Sequence, residues 1–414
     1  GFYQQPMRLV DRGDIETATP SGPAWCEVRW RPRRPGAWQV RLIGSWDGVE
    51  RVVCDLPPLA VTGAPWDGYV RVDAGDPRFF ATGTPGPAAS FYYLVGSNLR
   101  SVYDVRSHEN TAMATRLTPD RGTLAYAAYL DRLAAAGGTG IEVWMSAWNL
   151  AFEWTAAWPG YHGRGAYAPG NAERLDRLLD LCWSRGIRVN LVINNHGQVS
   201  RKNDREWPDN PWNKTQGGPL ADAGEFFTHP QALVGAENLR RHIAARCSDH
   251  PAVLGWKLFS EVNLSAVDRA LLPAWCEAAA ASWRRCDPYG HPVSIHWSGD
   301  WKTPDRAVCA VRGLDYLCID AYRKAPKGTG AGEDLARLLW DGLQHPDNSL
   351  SRFGKPVLVT EYGGSWQGAE PWLLDNDLRT GPWLGLVAGY PGTPMLWWHE
   401  WIDQNGRASC RERV

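Results

Sequence analysis

Long apolar runs are missing from this 414-residue chain. No stretch approaches the roughly 18 uninterrupted apolar residues of a membrane-spanning helix, and no basic-then-apolar leader opens it. A membrane partner is therefore not expected. An excess of one charge is missing too, because 44 Lys+Arg face 45 Asp+Glu for a formal net charge of -1. No global field recruits nucleic acid. CxxC pairs are absent, and nine thinly spread cysteines, an odd number, argue against both a zinc site and a disulfide scaffold. Cys26 and Cys54 are the one pair that neighbouring strands could bring together. The ten histidines contain no HxxxH pair and His399-Glu400 alone makes no site, so neither a metal nor another cofactor is expected. Internal repeats and low-complexity segments are absent. The chain opens on Gly1 rather than Met, which leaves room for an export signal upstream, and a secreted or periplasmic location is expected.

What is present is aromatic. At 44% hydrophobic and 21% charged the chain reads as globular, and its length calls for one large domain and a small one. Its 24 Trp and 14 Tyr stand out. Indole and phenol rings fill large cores, and they also stack on the C–H faces of pyranose rings, so a carbohydrate partner is expected.

Residues 24–61 alternate in the β manner and are broken at Arg34-Pro35-Gly36 and Trp46-Asp47-Gly48, which predicts a small antiparallel domain over 1–75. From Phe91 onward short apolar strands alternate with helical stretches, the pattern of a parallel sheet. Eight strands can be counted: Phe91–Asn98, Gly140–Trp148, Ile187–Asn195, Val253–Glu261, Pro292–Trp297, Leu314–Tyr322, Pro356–Glu361 and Pro394–Trp398. Helices are predicted over Leu124–Ala136, Asn171–Arg185, Pro230–Cys247, Leu272–Cys286 and Glu333–Leu343. This is the count of an α/β (β/α)8 barrel over 76–407. The remaining 408–414 have no barrel character and read as a foreign or truncated tail.

Active sites of such barrels gather where strands end at the carboxyl face. The polar and aromatic residues there are Asn98, Trp148, His196, Ser260, Glu261, Asn263, His296, Trp297, Asp320, Tyr322, Glu361, Trp397 and Trp398. Glu261 and Glu361 each close a strongly apolar strand, the fourth and the seventh. Glycoside hydrolysis needs such a pair, one to protonate the departing oxygen and one to attack the anomeric carbon.

With these residues in place the chain resembles clan A of the glycoside hydrolases, above all the cellulase-like family 5 with a small β-sandwich ahead of the barrel. The resemblance implies a retaining β-glycosidase acting on poly- or oligosaccharides, with Glu261 as acid/base and Glu361 as nucleophile. It makes Tyr322 the hydrogen-bond partner of Glu361, His196 the third-strand histidine, and Trp398 or its neighbour Trp397 the sugar platform. Asn98, Trp148, Ser260, Asn263, His296 and Trp297 complete the expected substrate contacts. Two residues depart from the clan pattern: Ser260 stands where it has Asn, and Asp320 where His is frequent. Ser260 favours an alternative, a barrel that binds glycan with little catalysis; a transglycosylase would use the same two carboxylates.

Two further expectations concern charge. The acid should keep its proton while the nucleophile stays ionised. Glu142 on strand two and Lys257 on strand four should form a buried ion pair, since neither charge can stand alone in an apolar strand. The resemblance supports that pairing, because related barrels carry Arg and Glu at these places, with the charges exchanged.

Overall fold

The computed structural model describes residues 1–12, 15–63, 65–83, 89–99, 122–204, 206–323, 334–364 and 371–397. Trp398 and the tail 408–414 lie outside the described residues.

Seven parallel strands run side by side in chain order: Gly96–Asn98, Gly140–Trp144, Arg188–Val192, Val253–Lys257, Val293–Trp297, Tyr316–Ala321 and Val357–Tyr362. The eighth place is taken by residues 392–396. There Leu396 bridges Ser97 of the first strand and Tyr362 of the seventh, and Gly392 bridges Leu94. The Met395 amide donates to the Val359 carbonyl at 2.9 Å and the Thr393 amide to that of Leu94 at 2.8 Å. The ring thus closes through single bridges rather than a full ladder. Predicted strands two, three, four and six run long at their carboxyl ends, and the fourth stops at Lys257, four residues before Glu261.

The helices Pro230–Cys247 and Leu272–Cys286 have the expected bounds, and Gly122–Ala135, Pro169–Trp183 and Leu335–Gln344 lie within a few residues of them. Helix Pro371–Ala388 was not among those expected, since Gly381-Pro382 interrupts its pattern; the structure carries Pro382 inside it. Along strand five, Val293, Ile295 and Trp297 face the helix layer and join the main core, with Trp256 of strand four stacked on Trp283 of its helix at 4.4 Å. Ser294 and His296 therefore face the barrel axis, by the two-residue period of a strand.

The amino-terminal region is all β, built of four separate two-stranded antiparallel pairs rather than two packed sheets. In the hairpin of Arg41–Trp46 and Val49–Asp55, Asp47 (φ 52) and Gly48 (φ 76) form the tight turn that Asp-Gly favours. Cys26 and Cys54 lie on different pairs, exposed and free. Charge ties this layer to the barrel: buried Glu16 takes Arg174 at 2.8 Å and Arg177 at 3.2 Å, and Asp176 takes Arg29 at 2.8 Å and Arg246 at 2.6 Å. A three-stranded sheet, Val70–Val72, Phe80–Thr82 and Ser90–Tyr92, packs Val70 and Phe80 against Leu94, Leu254, Tyr316, Leu358 and Met395 at the foot of the barrel. The expected boundary near residue 75 falls between its first two strands, so this sheet spans the division that the sequence suggested.

Above that foot lies a buried polar layer. Lys257 Nζ donates to both oxygens of Glu142, at 2.9 and 3.0 Å, and to Thr360 Oγ1 at 3.0 Å. Asn98, Trp144 and Asn190 donate to Glu142 at 3.2, 3.1 and 2.9 Å. The expected ion pair is present. Burial opposes the Lys257 charge, but Glu142 outweighs it and raises the ammonium above its ordinary value.

Candidate active site

Register places the two candidate carboxylates. Strands six and seven pair Ile319 with Val359 but Asp320 with Glu361, so Thr360 is an extra residue on strand seven. This irregularity lets Thr360 reach Lys257 while Glu361, the next residue, also turns to the axis. Glu261 sits on a turn beyond strand four in the left-handed region, φ 51 and ψ 47. A non-glycine residue held there stores about 1–2 kcal/mol of strain, which surrounding contacts must overcome.

Those contacts come from two histidines. His196, buried after strand three, brings Nδ1 within 3.1 Å of Glu261 Oε2 and Nε2 within 2.9 Å of Asp204. The Nδ1 approach is a charge contact, since it is not aligned as a hydrogen bond. Burial opposes a charge on His196, yet Glu261 and Asp204 prevail and push the imidazole up to about 9. Glu206 lies behind, taking Asn195 Nδ2 at 2.6 Å, and burial together with Asp204 raises it well above the carboxylate range.

His296 lies against the Glu261 backbone and the Glu361 carboxylate with no exposed surface. Its Nε2 meets Asp320 Oδ1 at 2.5 Å, and its Nδ1 meets Ser260 Oγ at 2.9 Å, the Glu261 amide at 3.4 Å and Glu361 Oε1 at 3.8 Å. An amide can only donate, so Nδ1 carries the lone pair and Nε2 the proton. Burial and the Lys257 charge hold this imidazole well below its ordinary value, hence neutral. His296, Asp320 and Glu361 are the one cluster among the described residues with atoms close enough to hold a metal. Both ring nitrogens are engaged, Nε2 by Asp320 and Nδ1 by Ser260 and the Glu261 amide.

Tyr322 donates to Glu361 Oε2 at 2.8 Å, the contact implied by the resemblance, while Oε1 has no hydrogen-bond partner among the described residues. Burial, Asp320 and Glu261 push Glu361 well above the carboxylate range, against the pull of Lys257 and Tyr322. Burial and mutual repulsion raise its neighbour Asp320 as well, so these two buried carboxyls together favour holding a proton.

The other expected contacts separate into groups. Trp148 and Trp397 gather with Trp144 in one aromatic cluster; the Trp144 ring is 6.5 Å from Trp148 and 5.6 Å from Trp397. Trp144 donates to Glu142 inside the barrel, so Trp397, whose ring packs on it, is on the inward side. Trp297 belongs instead to the outer core, with Arg269 over its ring at 5.4 Å, because its neighbour His296 takes the inward parity. Asn98 is buried in the polar layer, donating to Glu142 and the Thr360 carbonyl. Asn263 spends its amide on Ser298, accepting from its nitrogen at 2.7 Å and donating to its carbonyl at 3.2 Å. Ser260 is fully buried with its hydroxyl on His296. The structure adds Trp144, Asp204 and Glu206. Trp144 shares alternation parity with Glu142, a signal the sequence carried; Asp204 and Glu206 lie in an irregular excursion after strand three that carries none.

Comparison with known proteins gives a consistent picture. No family model matches the chain. A β-glucuronidase from Paenibacillus borealis is 30% identical over 146 residues, 34% of this chain and 22% of that protein. Mannan endo-1,4-beta-mannosidase 3 from Oryza sativa subsp. japonica is 24% identical over 259 residues, 53% of each chain. The chain thus spans about half, or less, of the length of these curated relatives. Among solved structures, the glycoside hydrolase family 5 mannosidase from Rhizomucor miehei matches with a TM-score of 0.56 at 15% identity, over 80% of this chain and 85% of that one. The endo-1,4-beta-mannanase from the same organism matches with 0.55 at 13% identity, over 80% and 90%. The exo-beta-1,4-mannosidase from Opitutaceae bacterium strain TAV5 matches with 0.51 at 19% identity, over 77% and 56%. The barrel fold is that of the family 5 enzymes of clan A.

Proposed function

We propose that the chain is a retaining β-glycoside hydrolase, and that β-1,4-linked mannosides, the substrates named for its structural neighbours, are the class to test first. One observation carries this reading: the backbone amide of Glu261, beyond strand four, and Oε1 of Glu361, on strand seven, lie 3.4 and 3.8 Å from the same nitrogen of one buried imidazole, His296. In double displacement the free oxygen of Glu361, Oε1, attacks the anomeric carbon as the glycosidic C–O bond breaks, and Glu261 passes its proton to the leaving oxygen. Glu261 then takes a proton from water, whose oxygen displaces Glu361 and releases the sugar with its configuration retained. Tyr322 holds the other oxygen, Oε2, and so leaves Oε1 to attack. The His196–Glu261 pair keeps a proton close to the leaving group. Trp397 and Trp144 provide inward aromatic surface for the pyranose, and polymeric substrates would place the protein outside the cytoplasm.

One observation favours the second reading, a barrel that binds glycan with little turnover: Glu361 is biased toward its protonated, non-nucleophilic form. An activity screen on mannan, mannobiose and 4-nitrophenyl β-mannoside, with product anomers followed by NMR, separates the two. Turnover with retained configuration supports hydrolysis. Saturable binding without turnover at any pH refutes it.

A further inference from the structure

We propose that His296 and Asp320 form a positioning dyad that makes up for the short side chain of Ser260, placing one imidazole nitrogen beside both the acid/base backbone and the free oxygen of the nucleophile. This deepens the hydrolase reading and rests on it for its catalytic meaning, though not for its geometry.

The two departures from the clan pattern meet on this ring. Ser260 hydrogen-bonds to Nδ1, and Asp320 to Nε2. Asp320 is itself fixed, since its other oxygen accepts the Gly299 amide at 2.9 Å. A carboxylate against Nε2 keeps the proton on that nitrogen and turns the lone pair of Nδ1 toward the site. That lone pair receives the Glu261 amide, which pins the left-handed turn carrying the acid/base. The nitrogen that bears it also lies 3.8 Å from Glu361 Oε1, with no donor of the described residues on that oxygen. A carboxylate opposed in this way is a stronger base, and the opposition is relieved when Oε1 bonds to the anomeric carbon and loses its charge.

The charged and titratable groups around the ring come from every wall. Strand two supplies Glu142, strand four Lys257 and Glu261, the end of strand three His196, strand six Asp320 and Tyr322, and strand seven Glu361. Lys257 opposes a positive imidazole, so the ring keeps its neutral form while Asp320 sets its tautomer.

The test pairs a measurement on the unaltered protein with two variants. ¹⁵N-histidine NMR of the full chain should show His296 neutral with its proton on Nε2 throughout the working pH range; a proton on Nδ1, or a free mixture of tautomers, overturns the dyad. With 4-nitrophenyl β-mannoside, Asp320→Asn and His296→Asn should each lower kcat at least about 100-fold with KM changed little, as expected when an imidazole loses its fixed tautomer. In Asp320→Asn the acidic limb of the kcat profile should also move to lower pH, because one fewer negative charge opposes ionisation of Glu361. The His296 tautomer in Asp320→Asn separates positioning from packing: a free mixture of tautomers is expected, whereas a purely structural Asp320 would leave the proton on Nε2. Wild-type kcat and an unmoved limb in both folded variants overturn the dyad while Glu361→Ala, inactive beside them, upholds the hydrolase reading. Failure of the wild type to turn over any glycoside, with the Nε2–H tautomer observed, refutes the hydrolase reading and leaves the dyad standing.

Discussion

Two polar layers lie one above the other inside the barrel, and they are satisfied to different degrees. In the lower one, Glu142 and Lys257 are wholly buried, yet the carboxylate receives Lys257, Asn98, Trp144 and Asn190, and the ammonium also reaches Thr360. In the upper one, Glu361 Oε1 has no hydrogen-bond partner among the described residues, and Glu361, Asp320 and Glu261 crowd one neutral imidazole. Thr360 and Glu361 are consecutive, so one backbone irregularity divides the layers. A satisfied charge network specifies a core; an under-satisfied one keeps reactive groups high in energy until a ligand arrives.

Substitutions should therefore dissociate activity from stability in opposite senses. Glu361→Gln should reduce kcat on the order of 10⁴-fold, the scale for removing a nucleophile, while the fold stays intact. Its thermal midpoint should exceed that of the wild type by a margin that grows with pH. The sign follows from the raised value of Glu361: the protonated carboxyl suits the folded site, and that benefit is lost as pH rises from the ordinary 4.5 through the folded value. A midpoint difference that shrinks with pH would contradict this.

Lys257→Met should do the reverse. Leaving Glu142 buried without its cation costs about 3–5 kcal/mol, read by urea unfolding, and Lys257→Glu combined with Glu142→Arg should recover most of it. A loss below about 1 kcal/mol would place the pair among surface-like interactions and remove the contrast between layers.

The outer shell tests a third kind of environment. Asp287 accepts Trp256 Nε1 at 2.9 Å, His291 Nδ1 at 2.8 Å and the Tyr289 amide at 2.9 Å. Burial alone would raise it, but His291 and these donors bring it to about 2. A lowered carboxylate stabilises the fold above its unfolded value of 3.8, and the benefit fades as pH falls toward 2. Asp287→Ala should therefore cost about 2 kcal/mol more at neutral pH than near pH 2, with activity unchanged per folded molecule. Smallest of all, Trp397→Ala should raise KM on the order of 10-fold, the scale of one aromatic contact, whereas Trp297→Phe should leave KM within about twofold because that ring faces the helices. Equal effects would mean that neither ring touches the sugar.

The chain's own periodicities determined the barrel, two of its helices to the residue, the placing of Glu261 and Glu361 after the fourth and in the seventh strand, and the Glu142–Lys257 pairing. These depend on local alternation and on the cost of an unpaired buried charge, both of which a linear sequence displays. Tertiary structure decided the rest. Trp297 and His296 are adjacent, and only the packing of Trp297 in the outer core and the bond of His296 to Asp320 show which of them enters the barrel. Thr360 and Glu361 share the inner face only because the pairing with strand six slips by one residue. Asn98, Ser260 and Asn263 looked like sugar ligands, since polar side chains at strand ends are what such ligands are; their partners Glu142, His296 and Ser298 lie 44, 36 and 35 residues away. The upward shift of Glu361 rests likewise, beside its burial, on Asp320 and Glu261, 41 and 100 positions off by number, because an electrostatic field depends on distance through space, which the order of residues along a chain does not record.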